Sequence, residues 1–177
     1  MSNFEKTILL ASLKRIIMPK NTNKNSGNFP ILEDLVGDWN LERFYNNGVK
    51  VLSKANFTKT NANEFKYSEK GMMILADGKE MMCARKFIYK PSPTGFEVYF
   101  FEYPKELFQN VILKKEKNGS LSAKATHFCV KDVYASSYKF LNDGHFEITH
   151  VVCGPKKEYT SKGVFKKNRS AKKNVTS

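Results

Sequence analysis

Asn-Gly and Asp-Gly pairs recur at short intervals along this chain, and they constrain its fold more than any other feature. Asn46-Asn47-Gly48, Asp77-Gly78, Asn118-Gly119, Asn142-Asp143-Gly144 and the loop Pro91-Ser92-Pro93-Thr94-Gly95 each separate segments that alternate apolar with polar residues. Both members of such a pair tolerate the positive φ of a two-residue hairpin turn, so each pair predicts an antiparallel connection. The segments between them predict about ten strands, near 37–45, 49–59, 63–69, 71–76, 80–89, 95–102, 109–117, 120–130, 133–141, 145–153 and 158–167, some of which can merge. No long helical pattern follows Gly37. Many hairpins in succession leave exposed edges unless the sheet closes on itself. The expectation is an all-β fold, a single antiparallel barrel of roughly 8–10 strands.

Charge and composition divide the 177 residues into three parts. Residues 1–29 carry five basic side chains against Glu5, and residues 156–177 carry eight against Glu158, whereas 30–155 hold 17 basic and 15 acidic residues. Most of the net charge of +13 therefore sits at the ends. We read 1–30 as a basic leader and linker, 31–167 as the barrel and 168–177 as a basic disordered tail. Such ends attract RNA or an anionic membrane without reading sequence. Thr7 to Lys20 has the pattern of a short amphipathic helix or a mitochondrial presequence. No apolar run has the length of a membrane span. Three cysteines, Cys83, Cys129 and Cys153, fit neither a disulfide framework nor a zinc site, and point to a reducing, intracellular compartment, cytoplasmic or mitochondrial.

Period-two alternation also predicts which side chains share a face. Arg85 falls with Met81, Cys83, Phe87 and Tyr89; Tyr67 and Glu69 fall with Phe65. His127 falls with Leu121, Ala123, Ala125 and Cys129, and His150 with Phe146, Ile148 and Val152. Each strand thus puts a polar or ionisable group on its apolar side. Such groups need partners, water or a ligand. An Arg85–Glu69 ion pair inside the core is one expectation, and a polar pocket beside the small alanines is the other.

The motifs add a resemblance. Gly37-Asp38-Trp39 is similar to the Gly-X-Trp start of lipocalin-like (calycin) barrels, and the later segments YSEKGMM, ARKFIY, HFCVKDVY and VVCGPKKEY resemble a family of small lipocalin-like proteins. The matching positions are Arg43, Tyr67, Glu69, Arg85, His127, Asp132, Tyr134, Gly154, Pro155, Lys156, Lys157 and Tyr159. The resemblance implies that Trp39 closes one barrel end against a basic side chain, here Lys166 or Lys167. Gly37, Trp39, Gly154, Pro155 and Tyr159 then serve the fold. Residues 99–110 depart from the family pattern, and Tyr89 stands one place late.

The resulting functional expectation is a binder of a small anionic or amphipathic molecule. Arg43, Tyr67, Glu69, Arg85, His127, Tyr134, His150 and Lys156 are its candidate ligand-binding residues. Arg43, Arg85 and Lys156 would neutralise the anion, and Trp39, Phe65, Tyr67 and Tyr134 would form the wall. A small enzyme using His127 with Asp132 and Tyr134 for acid–base chemistry is the alternative, and an RNA-associated role of the basic ends is a third. No metal or other cofactor is expected, a haem held by His127 and His150 being the one exception considered.

Overall fold

The computed structural model describes residues 31–168. The leader helix, the presequence pattern and most of the basic tail lie outside the described residues. One turn of helix, α1 (Ile31–Leu35), leads into β1 (Gly37–Tyr45), β2 (Lys50–Asn61), β3 (Glu64–Ile74), β4 (Glu80–Ser92), β5 (Gly95–Phe100) and β6 (Leu107–Ile112). There follow β7 (Lys114–Lys115), β8 (Leu121–Cys129), β9 (Asp132–Phe140), β10 (Phe146–Gly154) and β11 (Lys157–Lys167). All belong to one antiparallel sheet in the order β6-β5-β4-β3-β2-β1-β11-β10-β9-β8-β7. The last strand returns to the first, with Trp39 opposite Lys167 and Tyr45 opposite Ser161. The result is the all-β, nearly closed antiparallel barrel that the hairpin signals predict.

Two elements depart from the expected segmentation, each for a local reason. Segments 63–69 and 71–76 form one strand, β3, running straight through Gly71. A Cβ at Gly71 would overlap the Leu52 carbonyl and Ser53, so glycine here permits close approach of β2 rather than a break. Segment 109–117 is instead split: β6 pairs with β5, the chain bends at buried Leu113, and β7 pairs with β8. This bend accounts for an eleven-stranded sheet where roughly eight to ten strands are expected.

Between β6 and the body of β8 no backbone ladder forms among the described residues. Side chains cross this seam instead. Gln109 Nε2 donates to Ser136 Oγ on β9 at 2.6 Å, and Tyr138 O–H donates to Gln109 Oε1 at 2.5 Å. Phe108 and His127 meet across it with ring centroids 5.0 Å apart.

One end of the barrel is plugged. Ile31, Leu32 and Leu35 of α1 are buried there, and Trp39 Nε1 donates to the Leu35 carbonyl at 2.8 Å. Lys167 caps the arrangement: its Nζ donates to the Asp34 carbonyl at 2.9 Å and lies 5.4 Å from the centre of the Trp39 ring. Inside, Phe146 stacks on Phe165 at 4.2 Å and meets Trp39 edge-on at 4.8 Å. Burying each such ring contributes about 1.5–3 kcal/mol by area alone, which places the firm core at the Trp39 end. The α1 plug was not foreseen, because ILEDL is too short to carry a helical period.

Candidate functional site

Above that core the barrel is hollow. A cavity of about 370 Å³ opens toward the end bearing Tyr45, Cys129, Tyr134 and Tyr159. Its volume lies in the range of ordinary small-molecule sites. Of the sequence-predicted binding residues, Arg43, Tyr67, Glu69, Arg85, His127, Tyr134 and His150 all line it. Alternation brings them there: each sits on the inward parity of its strand.

A buried ionic network holds one wall. The Arg43 guanidinium grips Glu69 with both arms, Nη1 to Oε1 at 2.8 Å and Nη2 to Oε2 at 2.9 Å. Ser53 Oγ donates to Oε1 at 3.2 Å and Tyr67 O–H to Oε2 at 2.8 Å. Burial pushes the Glu69 carboxyl up, but the bonds and charge of Arg43 outweigh it and hold the group below its usual range. Burial pushes the Tyr67 hydroxyl well up, so it stays protonated and donates. Arg43, despite its burial, is held more firmly protonated than usual by Glu69.

This corrects the expected Arg85–Glu69 pair. The two residues do face each other across β3 and β4. However, Arg43 is only 5 % exposed, and the more deeply buried cation has the greater need of the carboxylate. Arg85, half-buried, donates through Nη2 to Tyr45 Oη at 3.0 Å. Among the described residues no carboxylate stands at ion-pair distance from it.

His150 lines the cavity from β10. Its Nδ1 lies 2.7 Å from Ser136 Oγ. Burial first, then the charges of Arg43 and Arg85, push its pKa down to about 4, so the ring is neutral at pH 7.

An aromatic cluster adjoins this network, with Phe87 facing Tyr67 across β3 and β4. Phe87 and Phe108 stack at 5.6 Å, Phe100 meets Phe108 at 5.1 Å, and His127 packs among Phe100, Phe108 and Tyr134 at 5.0–6.1 Å. Phe108 reaches the interior because the β5–β6 register slips between Val98 and Tyr99. The extra residue lets neighbours Phe108 and Gln109 both face inward.

Other expectations shift. Lys156 is exposed in the Pro155–Lys156 turn, and Lys157 holds the mouth instead: its Nζ donates to Asp132 Oδ2 at 2.8 Å and to Tyr134 Oη at 3.0 Å. Residue 157 has the inward parity of β11, shared with Tyr159, whereas Lys156 precedes the strand. Gly154 fits against that pair, since a Cβ there would overlap the Asp132 carboxylate. Trp39 and Phe65 belong to the packed end and do not line the cavity, and Met81 is exposed beyond it. His127, Asp132 and Tyr134 do not form a relay: among the described residues His127 makes no hydrogen bond to either, and Lys157 takes both. No cluster of three or more His, Cys, Asp or Glu side chains suited to a metal occurs among the described residues.

Sequence reading missed Tyr45, Phe100, Phe108, Gln109 and Ser136. Tyr45 and Ser136 keep strict alternation and were open to discovery by it. Phe108 and Gln109 break alternation through the bulge, which leaves no signal in LFQNVI.

Residues 35–167 match the sequence profile of a family of unknown function, DUF6314. No curated protein matches. Among solved structures the chain is similar to a de novo designed fluorescence-activating β-barrel, at 10 % identity and TM-score 0.40, covering 79 % of this chain and 99 % of that one. It is likewise similar to a redesigned β-barrel, mFAP1, bound to DFHBI, at 10 % identity and TM-score 0.39, covering 77 % and 97 %.

Proposed function

The chain belongs to the family of unknown function DUF6314, and we propose that its barrel holds a small anionic or amphipathic molecule in the hollow above the Trp39 core. One observation carries this reading: Arg85 presents a half-buried guanidinium, without a carboxylate of its own among the described residues, to a cavity of about 370 Å³ walled by aromatic rings. The Arg43–Glu69 pair is internally neutral and serves as rigid wall. A permanent cation facing an apolar hollow is costly unless an anion or water meets it.

A thermal-shift panel of anionic metabolites and fatty acids, followed by native mass spectrometry, tests this. We expect stabilisation by at least one anionic class, lost on Arg85→Met. If no class binds, or if Arg85→Met binds the same compounds equally well, the reading fails. The lipocalin-like assignment is part of the proposal, supported by buried Trp39 beneath Lys167; a comparison placing DUF6314 members in another barrel superfamily would remove it. So is a reducing intracellular compartment, checked by imaging a tagged full chain.

A further inference from the structure

The cavity's hydrogen bonds have a direction, and the direction selects a ligand. Tyr138 O–H donates to Gln109 Oε1, and Gln109 Nε2 donates to Ser136 Oγ. Ser136 is buried, and His150 Nδ1, 2.7 Å away, is the one acceptor its hydroxyl proton meets among the described residues, so the serine donates to the imidazole rather than leave that proton unpaired. A neutral imidazole that accepts at Nδ1 must carry its proton on Nε2. That nitrogen has no hydrogen-bond partner among the described residues, although His150 lines the cavity. The relay across the seam therefore leaves an N–H donor at the cavity on β10, while Arg85 lines the same cavity from β4.

Charge and shape narrow the choice. Glu69 neutralises Arg43 and Asp132 pairs with Lys157, which leaves the single charge of Arg85 for a guest. A monoanion balances it, whereas a dianion would leave one negative charge uncompensated beside apolar rings. Next to Arg85 on the inward face of β4, Phe87 stacks with Phe108, offering flat surface rather than a slot for a flexible chain. Ring-on-ring contact adds about 2- to 10-fold in affinity beyond area alone.

Building on the binding role above, we propose that the ligand is a flat aryl or heteroaryl carboxylate, its carboxylate between Arg85 and His150 Nε2–H and its ring against Phe108. Calorimetric titration of the full chain with 2-naphthoate, decanoate, methyl 2-naphthoate and 2-naphthyl phosphate tests it. We expect 2-naphthoate to bind at least 10-fold more tightly than the methyl ester and the phosphate, and about 2- to 10-fold more tightly than decanoate. Arg85→Met should cost 2-naphthoate at least 10-fold, and Phe108→Leu should weaken 2-naphthoate while sparing decanoate. If decanoate binds as well as 2-naphthoate and still depends on Arg85, the aromatic class is wrong and the broader anion-binding role stands. Equal binding of the methyl ester overturns both, and failure of 2-naphthoate to bind overturns the aromatic class. Nitrogen-15 NMR of the ligand-free protein gives a check that needs no variant: His150 should be the Nε2–H tautomer, and the Nδ1–H tautomer would refute the donor.

Discussion

Replacing Glu69 by glutamine keeps the shape of the side chain and removes its charge. In the folded protein Glu69 is 3 % exposed and Arg43 5 %, and the two share paired hydrogen bonds at 2.8 and 2.9 Å. Breaking such a pair strands a buried cation, at a cost of about 3–5 kcal/mol. Domain stabilities run to roughly 5–15 kcal/mol, so the loss is a large share of the whole. Arg43→Met should cost about as much for the opposite reason, leaving the carboxylate among hydroxyls. The double variant Arg43→Met/Glu69→Gln strands neither charge, and should be more stable than the two single losses summed by about 2–4 kcal/mol.

Urea unfolding followed through Trp39, the sole tryptophan, gives all four stabilities. The sign of the pH effect follows from the lowered carboxyl. Its folded value lies below the ordinary 4.5, so its contribution is complete above that pH and is lost as pH falls through the folded value. The gap between wild type and Glu69→Gln should accordingly narrow in acid. A Glu69→Gln cost under about 1 kcal/mol, or strict additivity in the double variant, would refute the reasoning.

Two further outcomes follow from the geometry. His150 titrates near 4 when folded against an ordinary 6.5, so the wild type should lose stability as pH falls from about 6.5 toward 4, at up to about 1.4 kcal/mol per pH unit; His150→Gln should flatten that slope in pH-dependent urea melts, and an unchanged slope would exclude His150 as its source. Val130, a β-branched residue with φ of 55°, sits exposed at the start of the β8–β9 turn, so Val130→Gly should stabilise by about 1 kcal/mol. Calorimetry should show a melting rise of roughly 3 °C, and a fall would contradict the strain.

The barrel was legible because its signals are local. A hairpin turn and its flanking alternation lie within about ten residues, and from them most strand bounds, those of β3, β6 and β7 excepted, and the inward set Tyr67, Glu69, Arg85, His127 and His150 follow directly. Pairing was not legible, because it depends on depth. Glu69 faces Arg85 in register, yet Arg43, two strands from Glu69, takes it. The mouth lysine was misassigned by one position because only the start of β11 decides which of Lys156 and Lys157 has inward parity. Of the aromatic wall, Phe87 and His127 follow from alternation, whereas Phe108 stays hidden behind the bulge.

The joint between β6 and β8 has a mechanical consequence. A backbone ladder holds neighbouring strands at a set spacing of about 4.8 Å, so most of the circumference is inextensible. Side chains can swing about their rotamers without severing such a ladder. Gln109, Ser136 and Phe108 therefore act as a clasp rather than a weld. Widening the barrel for a bulky guest would begin at this clasp, and amide hydrogen exchange should be fastest along its two unladdered edges.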